Sequence, residues 1–160
     1  MNVKSTFMLL FLVGIIQLSF GQNLKKYCNQ RFNFCTEYPS NFSGLGESQN
    51  GDGQNFISKD KLTKITIFGN LEIEDINDLK STYKSYLTSK NVTYKLIKDN
   101  YFVISGFESK NKIFYIKVIK KKVDYYGSLT DVLQTVYISY PKTQNDIYSA
   151  YCKNIAKNFN

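Results

Sequence analysis

No histidine occurs anywhere in the chain. A Ser-His or Cys-His nucleophile, a histidine-bearing zinc site and a histidine-ligated haem each require an imidazole, as a base near neutral pH or as a ligand. None of them can be assembled here. The three cysteines are one short of an all-thiolate zinc site. Catalysis is thereby confined to carboxylates, a lysine nucleophile or an unusual cysteine, and residue spacing displays no constellation for any of these. Tryptophan is also absent, and only Pro39 and Pro141 interrupt the chain as prolines. No motif implies a cofactor.

Long apolar runs are equally scarce, with one at residues 7–16. Lys4 precedes it, Gln17 ends it, and the small residues Ser19 and Gly21 stand on either side of Phe20. That order of charge, apolar stretch and small-x-small site is the pattern of a cleaved secretory signal. Residues 1–21 are therefore expected to be a signal peptide, and 22–160 the exported chain. A membrane span needs about 20 predominantly apolar residues, more than this run supplies. An acylated cysteine would have to stand at the cleavage point, and the first cysteine is Cys28.

What remains is one domain's length of chain, rich in aromatics with 13 tyrosines and 9 of the 12 phenylalanines, a composition that suits strands with aromatic cross-strand pairs. Alternation of Phe32, Phe34, Thr36 and Tyr38 predicts a first strand ended by Pro39. A polar loop over 40–53 is expected next, then a hairpin of strands 54–58 and 63–69. Ile76, Leu79, Tyr83, Tyr86 and Leu87 fall on one face at helical spacing, with Glu74 or Asp75 suited to the positive end of the dipole. Strands are predicted at 92–98, 101–106, 112–119 and 132–140. A closing helix from about Gln144 should bury Tyr148, Tyr151, Cys152, Ile155 and Phe159. Strands joined mostly by turns, with helices between and after them, read as α+β: an antiparallel sheet of about six to seven strands sandwiched by helices.

Export makes disulfides possible. Cys28 and Cys35 flank the start of the first predicted strand, and Cys152 lies on the closing helix. A bridge from Cys152 to Cys28 or Cys35 would span most of the domain and contribute on the order of 4 kcal/mol in the chain-entropy model. It is preferred to Cys28 with Cys35, which closes only a small loop.

Three features bear on function. Asp52, in Asn50-Gly51-Asp52-Gly53, is a calcium candidate, but the repeated acidic ligands and terminal glutamate of a calcium loop are missing. Asn-Gly and Asp-Gly are also common tight-turn pairs. Lys110, Lys112, Lys117, Lys120, Lys121 and Lys122, followed by Tyr125 and Tyr126, form a basic stretch with no acid between its ends. Loss of Lys4 leaves 20 basic against 13 acidic residues, or +7. That balance favours an anionic lipid, glycan or other envelope partner over nucleic acid, given export. A lysine-guarded edge strand is the structural alternative. Glu37, Glu47 and Asp52 are neighbours in sequence that a glycan hydrolase would need about 5–9 Å apart.

The runs RFNFCTEYPSNF from Arg31, NGDGQNFIS from Asn50, VISGFESKNKIFYIK from Val103 and ISYP from Ile138, with a final IAKNF, resemble small exported bacterial proteins of unassigned function. The order of elements is similar to that of PsbP-like and DcrB-like α/β/α sandwich domains. PsbP is an accessory subunit of the photosynthetic oxygen-evolving complex and DcrB a bacterial envelope protein, so the resemblance implies a binding or accessory module. No functional residue of those proteins maps onto a position here. The expected function is an exported binding or accessory protein, with a carboxylate-dependent hydrolase of envelope glycan as the alternative.

Overall fold

Side chains along a strand alternate between its two faces. In strand β8 (Lys112–Tyr125) one set includes Phe114, Ile116 and Val118, the other Tyr115, Ile119 and Val123, and all six are buried. A strand apolar on both faces must lie in a sheet covered on both sides. The computed structural model shows that arrangement. It describes residues 23–160, and the expected signal peptide lies outside them.

The described residues form strands β1 (Leu24–Asn29), β2 (Phe34–Pro39), β3 (Phe42–Glu47), β4 (Gly53–Ser58), β5 (Lys64–Leu71), β6 (Asn91–Ile97), β7 (Tyr101–Ser109), β8 and β9 (Ser128–Pro141). Helix α1 (Leu79–Ser89) lies between β5 and β6, and α2 (Asn145–Asn158) follows β9. Seven strands make one antiparallel sheet in the order β3-β4-β5-β9-β8-β7-β6, while β1 and β2 pair only with each other. Hairpin β1–β2 and helix α2 cover one face, sealing Ile65, Ile67, Val136 and Ile138 beneath Phe32, Phe34, Tyr148, Tyr151 and Ile155. Helix α1 covers part of the other, where Leu79 meets Phe102, Ile104, Phe114 and Leu133. The α+β class and the helix-covered antiparallel sheet match the expectation from sequence.

Several local expectations are corrected. The predicted first strand is instead the turn and second half of a hairpin, whose first strand, β1, was not foreseen. Strand β3 occupies what was expected to be loop. Helix α1 starts two residues after Asn77, capped by Asp78, whose Oδ1 accepts from the backbone N–H groups of Lys80 and Ser81 at 2.8 and 3.0 Å. Ile76 therefore lies outside the helical stripe and is 73% exposed. Strand β8 is not an edge. The edges are β3 and β6, and both carry register shifts, after Gly44 and after Val92, which discourage further pairing.

The disulfide joins Cys28 to Cys35, and Cys152 is free. The preferred Cys152 bridge is thus overturned, for a reason of facing. Cys28 and Cys35 are directly opposite each other on β1 and β2 and sit on the outward side of that ribbon, while Tyr27, Asn29, Phe34 and Thr36 point inward. Cys152 is buried on the inward face of α2. Its thiol is pushed up to about 12 by burial.

On the same face, Lys117 is 3% exposed. Its ammonium donates to the carbonyl of Ala156 at 2.8 Å and lies 5.3 Å from the Tyr101 ring centroid. It supplies a cation to the carboxyl end of α2, where carbonyls lack helical partners and the dipole is negative. Burial lowers its pKa.

On the opposite face, beyond α1, Glu108 accepts from Tyr137 Oη at 2.5 Å and Ser139 Oγ at 2.6 Å, with Lys90 and Lys112 at 3.6 and 3.4 Å. Burial acts to raise its pKa, but the two hydroxyls and two ammonium groups prevail and bring it to about 2. A carboxyl depressed on folding contributes stability that is complete above its unfolded pKa, here near 4.5, and lost as pH falls through the folded value. In thermal melts the native protein should lose Tm between pH 4.5 and 2 more steeply than Glu108→Gln. Parallel curves would assign the acid sensitivity to other groups.

Candidate functional site

Strands β8 and β9 outrun their neighbours. Pairing of β7 with β8 stops at Tyr101 opposite Ile119, and pairing of β5 with β9 stops at Leu71 opposite Val132. The Lys120 N–H still donates to the Asn100 carbonyl and the Glu72 N–H to the Asp131 carbonyl; beyond these, residues 122–125 and 128–131 pair with each other as a two-stranded arm. Its turn, Tyr126 and Gly127, has φ of 53° and 83°, the pair of positive values of a type I′ hairpin turn, where asparagine or glycine is favoured at the first position. A tyrosine in the left-handed region is an outlier, and this one is 87% exposed. Gly127 is in its natural place, its N–H donating to Asp124 Oδ1 at 2.7 Å.

The base of the arm is held by the β1–β2 turn. The Phe32 N–H donates to Asn29 Oδ1 at 2.8 Å, and Gln134 Nε2 donates to the Phe32 carbonyl at 3.1 Å. The ring lies on Gly69, where a Cβ would come within 2.5 Å of it, and stacks on Tyr125 with centroids 5.9 Å apart and planes 8° from parallel. Arg31 next to it donates from Nε and Nη2 to Tyr125 Oη at 3.1 and 2.8 Å, and from Nη1 to the Asn50 carbonyl and Asp52 Oδ1, each at 2.6 Å. The Tyr125 hydrogen bonds, and then the Asp52 charge, raise its pKa against an opposing effect of burial.

The third wall is the β3–β4 turn. Ser48 Oγ accepts from the N–H groups of Asp52 and Gly53 at 2.8 and 3.1 Å, and Asn50 Nδ2 donates to Asp52 Oδ2. Glu47 accepts from Tyr27 Oη at both oxygens, 2.8 and 2.9 Å, and from Asn29 Nδ2 at 3.0 Å. Asn29 Nδ2 also reaches the Gly51 carbonyl at 2.8 Å. Burial first, with help from Glu47, pushes the Tyr27 hydroxyl up to about 12. Together the three turns form a cleft of about 570 Å³ lined by Cys28, Gln30, Arg31, Glu47, Asn50, Gly51, Asp124, Tyr125 and Tyr126. Its size falls within the range of small-molecule sites.

No family model and no curated protein matches the chain. The functional reading therefore rests on the cleft.

Residues drawn from separate parts of the sequence converge there: Tyr125 and Tyr126 from the basic stretch, Glu47 from the carboxylates and Cys28 from the disulfide, with Asp52 behind Arg31 as its ion-pair partner. Asp52 is committed to Arg31 and Asn50 in the hairpin turn that the Asn-Gly and Asp-Gly pairs suggested. Glu37 is elsewhere, beside Asn154 of α2. The lysines do not stay together. Alternation puts Lys112, Lys120 and Lys122 on the α1 face of β8, and Lys117 and Lys121 on the other; Lys110 is exposed in the β7–β8 turn. Lys120 pairs with Glu72 and Asp131, Lys122 with Asp131, and Lys112 with Glu108. Arg31 and Gln30 were not foreseen, since their roles depend on the β1–β2 turn.

A larger recess of about 840 Å³ opens at the start of α1, lined by Glu72, Asp78, Asp99, Lys120, Asp131 and neighbours. Its central groups are occupied in holding elements together: Asp78 caps α1, Glu72 accepts from the Leu79 N–H at 3.0 Å, and Lys120 ties Glu72 to the arm. No group of three or more His, Cys, Asp or Glu among the described residues is arranged to hold a metal ion.

Proposed function

We propose that the protein is an exported binding or accessory module whose ligand seat is the cleft beside the β8–β9 arm. Tyr126 carries this reading: a large aromatic held in solvent, on a backbone conformation that disfavours it, at the tip of an arm braced by Phe32 and Arg31. Strain of this kind clusters at functional sites, and exposed aromatics are frequent anchors of recognition. The surface disulfide accords with an oxidising compartment. No helix among the described residues is long and apolar enough to cross a membrane. An accessory role is also what the resemblance to PsbP-like and DcrB-like domains implies.

The hydrolase alternative would have to use Glu47 and Asp52. Both carboxylates are engaged as braces, one by Tyr27 and Asn29 and the other by Arg31 and Asn50, whereas a glycosidase needs one carboxyl to donate a proton and the other to attack or activate water. Binding is the better use of this geometry. Isotope-labelled protein spanning 22–160, titrated with solubilised bacterial envelope material, should show amide shifts concentrated at residues 30–31, 47–52 and 124–127. Shifts confined to other surfaces, or none, would remove the cleft as the ligand seat.

A further inference from the structure

The geometry points to a neutral, hydroxyl-rich glycan as the ligand of this cleft, with Tyr126 as its stacking platform and Glu47, Asp124 and Gln30 as its polar partners. This inference rests on the binding reading above and goes further, to the class of ligand. It follows from which groups are already committed and which are left.

Of the described residues that line the cleft, Arg31 is the one cation. Four of its five N–H donors are directed at Tyr125, Asn50 and Asp52, and the Asp52 carboxylate compensates its charge at 2.6 Å. An anionic ligand would meet Glu47 and Asp124 with no cation free to balance them. A cationic ligand would find those carboxylates and the exposed Tyr126 ring, while the face of Tyr125 is already occupied by Phe32 and by the Arg31 guanidinium, 5.8 Å from its centroid. It would also approach against the +7 charge of residues 22–160.

The uncommitted groups are of a different kind. The Tyr126 hydroxyl and the Gln30 amide have no side-chain hydrogen bond among the described residues. Asp124 uses one oxygen on Gly127, which leaves the other as an acceptor. Glu47 accepts from two donors, the Tyr27 hydroxyl shared between its oxygens and the Asn29 amide, of the roughly four that a carboxylate takes. Carboxylate acceptors thus stand beside an amide and a hydroxyl that can each both give and take. A sugar matches them: its hydroxyls donate to the carboxylates, an oxygen can receive the Gln30 amide, and its apolar C–H face covers an aromatic ring. Tyr126 is oriented for that, since its edge-to-face contact with Tyr125, at 77° and 4.7 Å, fixes the ring while leaving it 87% exposed.

Calorimetric titration of the chain 22–160 tests the inference. The probes are neutral trisaccharides of gluco, manno, galacto and N-acetylglucosamine configuration, a heparin hexasaccharide as the anion and spermine as the cation. At least one neutral trisaccharide should bind, about tenfold more weakly to Tyr126→Ala, as loss of one stacked ring implies, and with a much smaller loss to Tyr126→Phe, which keeps the ring and loses the hydroxyl. Asp124→Asn should weaken the same sugar. Overturning results are an absence of binding by every neutral sugar, binding indifferent to Tyr126→Ala, or cleft occupancy by heparin or spermine alone. Because Tyr126 is exposed, Tyr126→Ala should melt with the native protein, so loss of binding would not reflect loss of fold. If envelope material still shifts the cleft amides while neutral sugars do not bind, the glycan class fails and the binding reading stands; if neither acts there, both fail.

Discussion

Phe32→Ala should lower the stability of the protein by about 3–5 kcal/mol, the range for removing a large buried aromatic. Domains have about 5–15 kcal/mol in total, so this one change would remove a substantial fraction. Phe32 is 1% exposed and fills the space that Gly69 leaves open on the sheet. It also stacks on Tyr125 and belongs to the turn whose backbone bonds to Asn29 and Gln134 set the position of Arg31. Its loss leaves a cavity at a junction of three elements, where collapse would have to move the arm. Equilibrium unfolding in urea should show the drop. Phe32→Leu, which refills most of the volume without the stack, should cost about 1.5 kcal/mol or less. A loss under about 1 kcal/mol for the alanine variant would show that the turn is anchored by its hydrogen bonds and not by the ring.

Removing the disulfide should have the next largest effect. The bridge closes residues only 7 apart in sequence, for which the chain-entropy model gives about 2 kcal/mol. Its consequence is regional, because β1 and β2 pair with no third strand among the described residues, and an isolated two-stranded hairpin is marginal in water. The double variant Cys28→Ser, Cys35→Ser should therefore lose order at residues 24–39, and with it the Arg31–Tyr125 contact, at a lower temperature than the seven-stranded sheet. Adding a dithiol reductant to the native protein should reproduce its melting curve, and adding it to the double variant should change nothing. Cys152 does not complicate this experiment, since burial keeps its thiol un-ionised near neutral pH. An unaltered Tm under reduction would mean that Phe32 and Phe34 hold the hairpin without the bridge.

What could be read from sequence depended on how local the determining contacts were. The inward stripe of α2, from Tyr148 to Ile155, is legible because helical spacing places those residues on one side whatever they pack against, and all of them are buried, while Phe159 is buried just past the helix end on extended backbone. The β4–β5 hairpin was legible from alternation and a polar turn. Strand β1 was not, because LKKYCN buries only Tyr27 and Asn29 and its strand character comes from pairing with β2. Strand β3 hides behind two glycines and one buried side chain, Phe42. The disulfide pairing is not legible in sequence, because loop length favours Cys152 and carries no information on which way each cysteine faces. The lysines of β8 looked like one patch along the chain, yet alternation distributed them to two faces and supplied most with partners. Of the cleft, the individual residues Tyr125, Tyr126 and Glu47 could be singled out, but not their meeting, which depends on a turn at 30–33, another at 48–53 and the unpaired length of the arm.

The arm also bears on how quickly the molecule assembles. Strands β8 and β9, 14 residues each, are adjacent in sequence and central in the sheet, so their pairing can zip outward from residues 126–127 on the roughly microsecond scale of hairpins. Strand β5 can join β9 only after a much longer loop is closed, which is the slower kind of step. The central hairpin is thus the natural template for the rest of the sheet, and its first move is the turn at Tyr126. Asparagine at that position would turn more readily. By keeping tyrosine there, the chain accepts a slower start to folding at the residue proposed to touch its ligand.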